Sequence, residues 1–154
     1  MEKAPKYTID VVRVMLVREA RGRYRAKPAT DSKEAWELIR ERLGASAAEK
    51  VVVLNLDARN RAVSIAEVAS GTVNACLVHP REIFAPAILS NALAVIVAHN
   101  HPSGNTEPSD EDRKLRDRLD DSGAVLGIPL LDFLIVTDTE FLSLGSSSYG
   151  SRVC

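Results

Sequence analysis

The chain has 154 residues, of which 45% are hydrophobic and 27% are charged, and its 20 basic and 21 acidic side chains leave a formal net charge of −1. This composition is typical of an ordinary globular protein and excludes collagenous, disordered and membrane-spanning classes. The balanced charge also excludes a global field that would attract nucleic acid or anionic lipid, although a local patch is compatible with it.

The cysteines and the N-terminal residues favour a cytoplasmic protein. The two cysteines, Cys76 and Cys154, form no CxxC pair, which is typical of a reducing compartment. The stretch MEKAPKYTID lacks the apolar segment of a signal peptide, and no apolar run is long enough to span a membrane. We therefore expect a single cytoplasmic domain over 1–154 that contacts no membrane, with a flexible Ser/Gly-rich tail at 145–154.

The first elements are a strand and a helix. From residue 8, TIDVVRVMLV is rich in β-branched residues and predicts a strand. Asp31 with Glu34 three residues later has the spacing of a helix cap, and Gly44 marks the end of that helix. The apolar stripe of the helix comprises Trp36, Ile39 and Leu43.

Strands dominate the middle of the chain. The segment EKVVVLNLD (49–57) is apolar on both faces and predicts a central strand, and RAVSIAEVA and TVNACLVH predict two strands that join it in a meander. Pro80 begins a predicted helix that runs to about Asn91, with a potential kink at Pro86.

The last third of the chain predicts a buried strand, a helix and two more strands. The run LAVIVA (93–98) has no polar interruption and predicts a strand that ends directly at His99. A helix starts at Pro108 and Ser109 and ends at Gly123, and IPLLDFLIVTD and EFLSLG predict strands of the same sheet. Together these elements predict an α/β fold with a mixed β-sheet flanked by helices.

A basic run at 17–27 is the one local patch that could attract an anion. It carries Arg18, Arg21, Arg23, Arg25 and Lys27 around Tyr24, with Glu19 as its single acid. A solvated loop is the favoured interpretation, and a phosphate or partner contact is the alternative.

The stretch HNHPSGNTEPSDED (99–112) predicts a metal site. Side chains alternate along a strand, so His99 and His101 project to the same side. Asp112 lies on the apolar stripe of the following helix, where an unpaired acid is costly. Two histidines and one carboxylate leave a fourth position for water, as in a catalytic zinc site.

Other interpretations of the same residues stay open. Asp112 could be the N3 carboxylate that caps the helix opened by Ser109. His79 is interpreted as a strand-end histidine outside the site. The remaining acids of the helix are expected to face water, namely Asp110, Glu111, Asp117 and Asp120.

The HNHPSG and PSDED motifs resemble the HxHPSG…PSxxD signature of the RadC family, a branch of the JAMM (MPN-type) metalloprotease-like domains. Similar stretches extend over nearly the whole chain and include EKVVVLNLDARNR, SGTVNACLVHPREIF and LLDFLIV. The resemblance implies a JAMM/MPN-like, cytidine-deaminase-like architecture. It also implies one zinc ion per chain, bound by His99, His101 and Asp112.

The resemblance further implies two catalytic residues. Glu49 corresponds best to the family's glutamate base, and Ser109 matches the serine that helps to stabilise the oxyanion. These roles agree with the ordinary chemistry of a carboxylate and a hydroxyl. Spacing alone leaves Glu67 and Glu82 as alternative bases.

The chain departs from the family pattern at two positions. Phe133 stands where histidine is common, and Arg116 stands where threonine is frequent. Neither position is a metal ligand, but Phe133 puts in doubt a polar contact beside the site. The chain also lacks the helical N-terminal region of longer family members, so we expect the short, single-domain form.

The leading functional prediction is a zinc metallohydrolase, a peptidase or isopeptidase that attacks an amide carbonyl with an activated water. Its partner would be a peptide or an isopeptide-linked protein, and a homodimer is left open. A DNA-associated accessory is weakly supported, because the family's DNA-repair label is an association and only the basic run could serve. A catalytically silent zinc scaffold is the third reading, whereas a nucleobase deaminase is disfavoured because the HxE and PCxxC elements are absent.

Overall fold

The structure is a computed structural model that describes residues 9–21, 29, 31–43, 46–71 and 78–145. Over this part of the chain the elements are α1 (Ser32–Leu43), β1 (Glu49–Leu56), β2 (Ala62–Gly71), α2 (Pro80–Leu89), β3 (Ala94–Asn100), α3 (Asp110–Leu126), β4 (Leu130–Val136) and β5 (Phe141–Ser143). No helix in the described ranges combines the length and the apolar character needed to cross a membrane.

The strands form one mixed sheet in the order β2-β1-β3-β4-β5. β3 and β4 are parallel, and the other neighbouring pairs are antiparallel. β3 lies in the middle of this order and every one of its residues is buried, which explains its uninterrupted apolar sequence. The predicted α/β fold with a mixed sheet flanked by helices is confirmed.

Alternation along β1 and β3 creates a hydrophobic core on each face of the sheet. Val53 and Val97 contribute to the core that α2 and α3 cover, with Phe84 and Leu119 among the helical residues. The next residues along the strands contribute to the second core, which α1 covers with Ile39. Both faces of β1 and β3 are therefore covered by apolar packing, and His99 and Asn100 lie at the end of β3.

The local signals at two helix starts are confirmed. The backbone N–H of Glu34 donates to Asp31 Oδ1 at 2.8 Å, as the capping spacing predicts. At α2 the N-cap is His79, whose ring accepts a hydrogen bond from the Arg81 N–H at 3.2 Å. His79 thus caps a helix, in agreement with its exclusion from the metal site.

The predicted strand that starts at residue 8 is wrong over the residues that the structure describes. Residues 9–21 form no strand, and the apolar side chains Ile9, Val11, Val12 and Val14 are exposed. β-branched residues favour a strand only where a neighbouring strand supplies hydrogen bonds and packing, and here the described sheet supplies neither. Arg18 and Arg21 are exposed, while 22–27 lie outside the described residues.

Two predicted boundaries and one predicted exposure are also wrong. β3 continues through His99 to Asn100, and α3 continues past Gly123 to Leu126. Gly127 is the real C-cap of α3, with φ 70°, because a left-handed residue ends a helix most easily as glycine. Asp120 is buried at 6% exposure rather than facing water. The predicted strand at 72–79 and the tail at 145–154 fall mainly outside the described residues.

Candidate metal centre

The end of β3 holds the two histidines in place. His99 lies between Val51 of β1 and Ile135 of β4 in the sheet, and the His101 N–H donates to the Val136 carbonyl at 3.0 Å. The two rings lie on the same side with centroids 4.9 Å apart and planes at 89°. The predicted convergence of the imidazoles is therefore present, and the backbone of three strands supports it.

The start of α3 brings Asp112 to the histidines. Ser109 is the N-cap, and its Oγ accepts a hydrogen bond from the Asp112 N–H at 3.1 Å. In return, Asp112 Oδ2 accepts from the Ser109 N–H and Oγ–H, each at 2.8 Å. The other oxygen, Oδ1, lies 3.0 Å from His99 Nδ1. Asp112 thus caps the helix, as one interpretation of the sequence predicts, and lies beside both histidines.

Hydrogen bonds at Nδ1 orient both imidazoles. His101 Nδ1 lies 2.7 Å from the Asn105 carbonyl oxygen, and His99 Nδ1 faces Asp112 Oδ1. Carbonyl and carboxylate oxygens only accept, so each of these Nδ1 atoms is the donor, and a ring that carries this single proton has its lone pair on Nε2. The Asn105 carbonyl thus orients His101 in the way that outer partners commonly orient a histidine ligand, whereas the partner of His99 Nδ1 is itself a candidate ligand.

The electrostatics of the site follow from these contacts. Burial would raise the pKa of Asp112, but hydrogen bonds with His101, His99 and Ser109 outweigh burial and hold that pKa well below its usual range. His101 Nε2 lies 3.4 Å from Asp112 Oδ2, and this contact stabilises the protonated ring and raises the pKa of His101, although burial opposes this shift. The site therefore presents a buried carboxylate in its charged form, which favours a cation beside it.

The residues fit a metal ion. His99, His101 and Asp112 can each offer one ligand atom, and these atoms lie within 4.8 Å of one another. His99 Nε2 is buried and has no hydrogen-bond partner among the described residues, which is costly unless something else occupies it. Two imidazoles and a carboxylate are a donor set that suits zinc and leaves a coordination position open.

Of the three candidate bases, only Glu49 lies beside this group. Glu49 begins β1, its side chain is 37% exposed, and its Oε2 is 4.0 Å from His99 Nε2. Glu67 instead pairs with Lys50 Nζ at 3.0 Å. Glu82 accepts the His79 N–H at 3.0 Å as part of the α2 cap.

The two departures from the family pattern have different surroundings. Phe133 lies opposite Val97 in the sheet and is fully buried in the core under α2 and α3. Arg116 is mostly buried, and its Nε is 2.9 Å from Asp117 Oδ1. Phe133 thus contributes apolar packing on the face of the sheet that carries the two histidines.

Fold and site together define an α/β domain with a two-histidine, one-carboxylate candidate metal centre between a strand end and a helix start. The profile of a family described as the RadC-like JAB domain matches residues 29–149, and the chain belongs to this family. The sequence resemblance is thereby confirmed.

Two relatives of the chain have names that state no activity. A UPF0758 protein of Clostridium perfringens is 42% identical over 108 residues, which are 70% of this chain and 48% of the relative. A UPF0758 protein of Xanthomonas oryzae pv. oryzae is 42% identical over 125 residues, which are 81% of this chain and 56% of the relative. The chain spans about half the length of these curated relatives.

Proposed function

We propose that this protein is a zinc-dependent hydrolase of amide bonds, a peptidase or an isopeptidase. The observation that carries the proposal is the convergence of His99, His101 and Asp112 beside the carboxylate of Glu49. A structural metal site would need no accessible base, whereas Glu49 is partly exposed to solvent next to the buried histidines. Membership of the RadC-like JAB family agrees with this reading.

Glu49 has the position and the chemistry of a general base. Zinc, when bound, acidifies water and polarises a carbonyl oxygen. The Glu49 carboxylate can accept a proton from an attacking water and return it to the leaving amine. Its partial exposure leaves room for water and substrate, and its proximity to His99 keeps it near the metal ligands.

Ser109 keeps its proposed role as oxyanion donor on one condition. Its hydroxyl proton now bonds Asp112 Oδ2 at 2.8 Å, so it must rotate away to donate to a tetrahedral oxyanion. The Ser109 N–H bonds the same Asp112 oxygen and would keep the helix capped during that rotation. We therefore assign Ser109 as a donor whose proton is shared between helix and substrate.

The partner would be a peptide or an isopeptide-linked protein, and the compartment would be the cytoplasm. The test combines elemental analysis for zinc with hydrolysis of peptide-library and isopeptide substrates by wild type, Glu49→Gln and Glu67→Gln. We expect zinc in all three proteins and cleavage in all but Glu49→Gln. Glu67→Gln is the matched control, because it removes an exposed acid from the neighbouring strand. A zinc-loaded wild type no more active than Glu49→Gln would refute the proposal.

A zinc scaffold without hydrolase activity is the second candidate. It is favoured by the complete capping box of Ser109 and Asp112, which gives both residues a structural role without any substrate. A DNA-associated form of this scaffold would use the basic run at 17–27. Salt-dependent retention on DNA that is lost when Arg21, Arg23 and Arg25 are neutralised would support it.

A further inference from the structure

Asn100 separates the two histidines in sequence and lies on the opposite face of β3 from them. Alternation along the strand sends its side chain towards the segment that precedes β1, and the residue is only 4% exposed. A buried amide must satisfy both a donor and an acceptor group. The partners that it finds are all backbone groups on the two sides of Glu49.

Asn100 makes three hydrogen bonds to this segment. Its Oδ1 accepts from the Lys50 N–H at 2.5 Å. Its Nδ2 donates to the carbonyl oxygens of Ala48 at 3.1 Å and Ser46 at 3.5 Å. These partners assign the amide orientation, since an N–H can only donate and a carbonyl can only accept.

The main-chain pairing between β1 and β3 stops short of Glu49. The register runs from Leu56 opposite Ala94 to Val51 opposite His99, and goes no further. On its other side, Glu49 is held by pairing with Gly71 of β2. On the side of Glu49 that faces β3, hydrogen bonds from the Asn100 side chain therefore replace the main-chain hydrogen bonds between the strands.

We infer that Asn100 is a positioning residue for Glu49, and this inference rests on the proposed role of Glu49 as general base. One amide clamps the residues on either side of Glu49 to the same strand end that presents His99 and His101. The base and two metal ligands thereby share one rigid support. Because a misplacement of about 1 Å at a reacting centre can cost roughly 100-fold in rate, such a clamp matters for turnover.

Asparagine suits this position better than aspartate or alanine. Aspartate can accept from the Lys50 N–H, but it places a charged acceptor against the carbonyls of Ala48 and Ser46. Alanine offers no hydrogen-bond partner to the Lys50 N–H or to the two carbonyls, which then depend on water. The displacement of Glu49 should therefore be smaller in Asn100→Asp than in Asn100→Ala.

The matched control is Asn55, the other buried asparagine of the described sheet. It lies on β1, and its Nδ2 donates to Ser64 Oγ at 2.9 Å, six positions along the strand from Glu49. Asn55→Asp and Asn55→Ala remove a buried amide from the same sheet without touching the clamp. We expect a loss of stability in both pairs of variants, and a displacement of Glu49 only in the Asn100 pair.

The experiment uses the zinc-loaded full chain and has two readouts that need no activity. Crystal structures and amide hydrogen exchange of the Asn100 and Asn55 variants would report the position of Glu49 and the protection of the Lys50 N–H. We expect Lys50 exchange to rise about tenfold in Asn100→Ala. We also expect Glu49 to move away from His99, with His99, His101 and Asp112 in place. The Asn55 variants should change neither quantity.

Kinetics on a cleaved peptide from the library complete the test. In Asn100→Ala, kcat should fall by roughly 100-fold with KM little changed, and the substitution should add nothing in a Glu49→Gln background. An unmoved Glu49 and a protected Lys50 N–H would overturn the inference. If Asn100→Ala does not fold, the position of Glu49 and the fall in kcat are measured in Asn100→Asp instead, because aspartate keeps an acceptor for the Lys50 N–H but no donor for the carbonyls of Ala48 and Ser46. A displaced Glu49 in a chain whose wild type cleaves nothing would uphold the clamp and refute the hydrolase proposal instead.

Discussion

Replacement of Asp112 by asparagine should abolish tight zinc binding without unfolding the protein. Asp112 uses Oδ2 to accept two hydrogen bonds from Ser109 and Oδ1 to face His99 Nδ1. Asparagine has one oxygen and one NH2 group. If the oxygen stays at the cap, the NH2 faces His99 and forces its Nδ1 to become an acceptor. The proton then moves to Nε2, which removes the lone pair that a metal requires.

The magnitude follows from the number of contacts that change. A ligand charge is lost and one imidazole is held in the wrong tautomer. Since even outer partners of a metal ligand are worth about 10- to 100-fold in affinity, we expect zinc affinity to fall by more than about 100-fold. The metal-free protein should lose about 1.5–3 kcal/mol, the range for hydrogen bonds to a charged group.

The loss of stability in the metal-free protein should depend on pH. The pKa of Asp112 is lowered in the folded state, so its contribution is present above the unfolded value of 3.8 and disappears as the pH falls. The pKa of His101 is raised above 6.5, so its contribution is full below 6.5 and is lost as the pH rises through the raised value. The difference between wild type and Asp112→Asn should therefore be greatest between about pH 4 and 6.5.

The assays are chelator competition for Zn²⁺ and urea unfolding in the presence of EDTA. Asp120→Asn is the matched control, because it removes a second buried carboxylate from the same helix. That variant should keep the zinc affinity of the wild type. Equal zinc affinity of Asp112→Asn and wild type would refute the assignment of Asp112 as a ligand.

Three further substitutions test contacts elsewhere in the fold. Asp132→Ala should lower the free energy of unfolding in urea by about 3 kcal/mol. The reason is that this buried carboxylate accepts hydrogen bonds from two serine hydroxyls and two backbone amides. A loss of less than about 1 kcal/mol, which is ordinary for a single substitution, would contradict this role. Gly123→Ala should lower the free energy of unfolding by about 2–3 kcal/mol, because the new Cβ would lie 2.6 Å from the Ile128 carbonyl oxygen. An unchanged unfolding midpoint would show that the chain can shift at this position. Asp57→Asn should destabilise the protein at pH 6 and much less at pH 2–3, because the hydrogen bond with Arg61 lowers the pKa of Asp57 to about 2. A loss of stability that is the same at all these pH values would rule out the ion pair with Arg61 as the cause.

Local rules were sufficient for much of the site. Strand alternation alone places His99 and His101 on one side, and helix periodicity alone turns Asp112 inward, because both depend only on backbone geometry. The same rules predicted the mixed sheet, since runs that are apolar on both faces must lie in its interior. They were insufficient for the strand predicted from residue 8 and for the end of α3 at Gly123, because partners and packing decide where such elements form and stop.

The amino-acid sequence specifies the chemical groups of the site and their local directions. Tertiary structure decided which of them meet. Glu49 is separated from His99 by 50 positions along the chain, and only the register of β1 against β3 distinguishes it from Glu67 and Glu82. The direction of Asn100 was predictable, but its partners around Glu49 were not, because hydrogen bonds between distant segments exist only once the sheet has assembled.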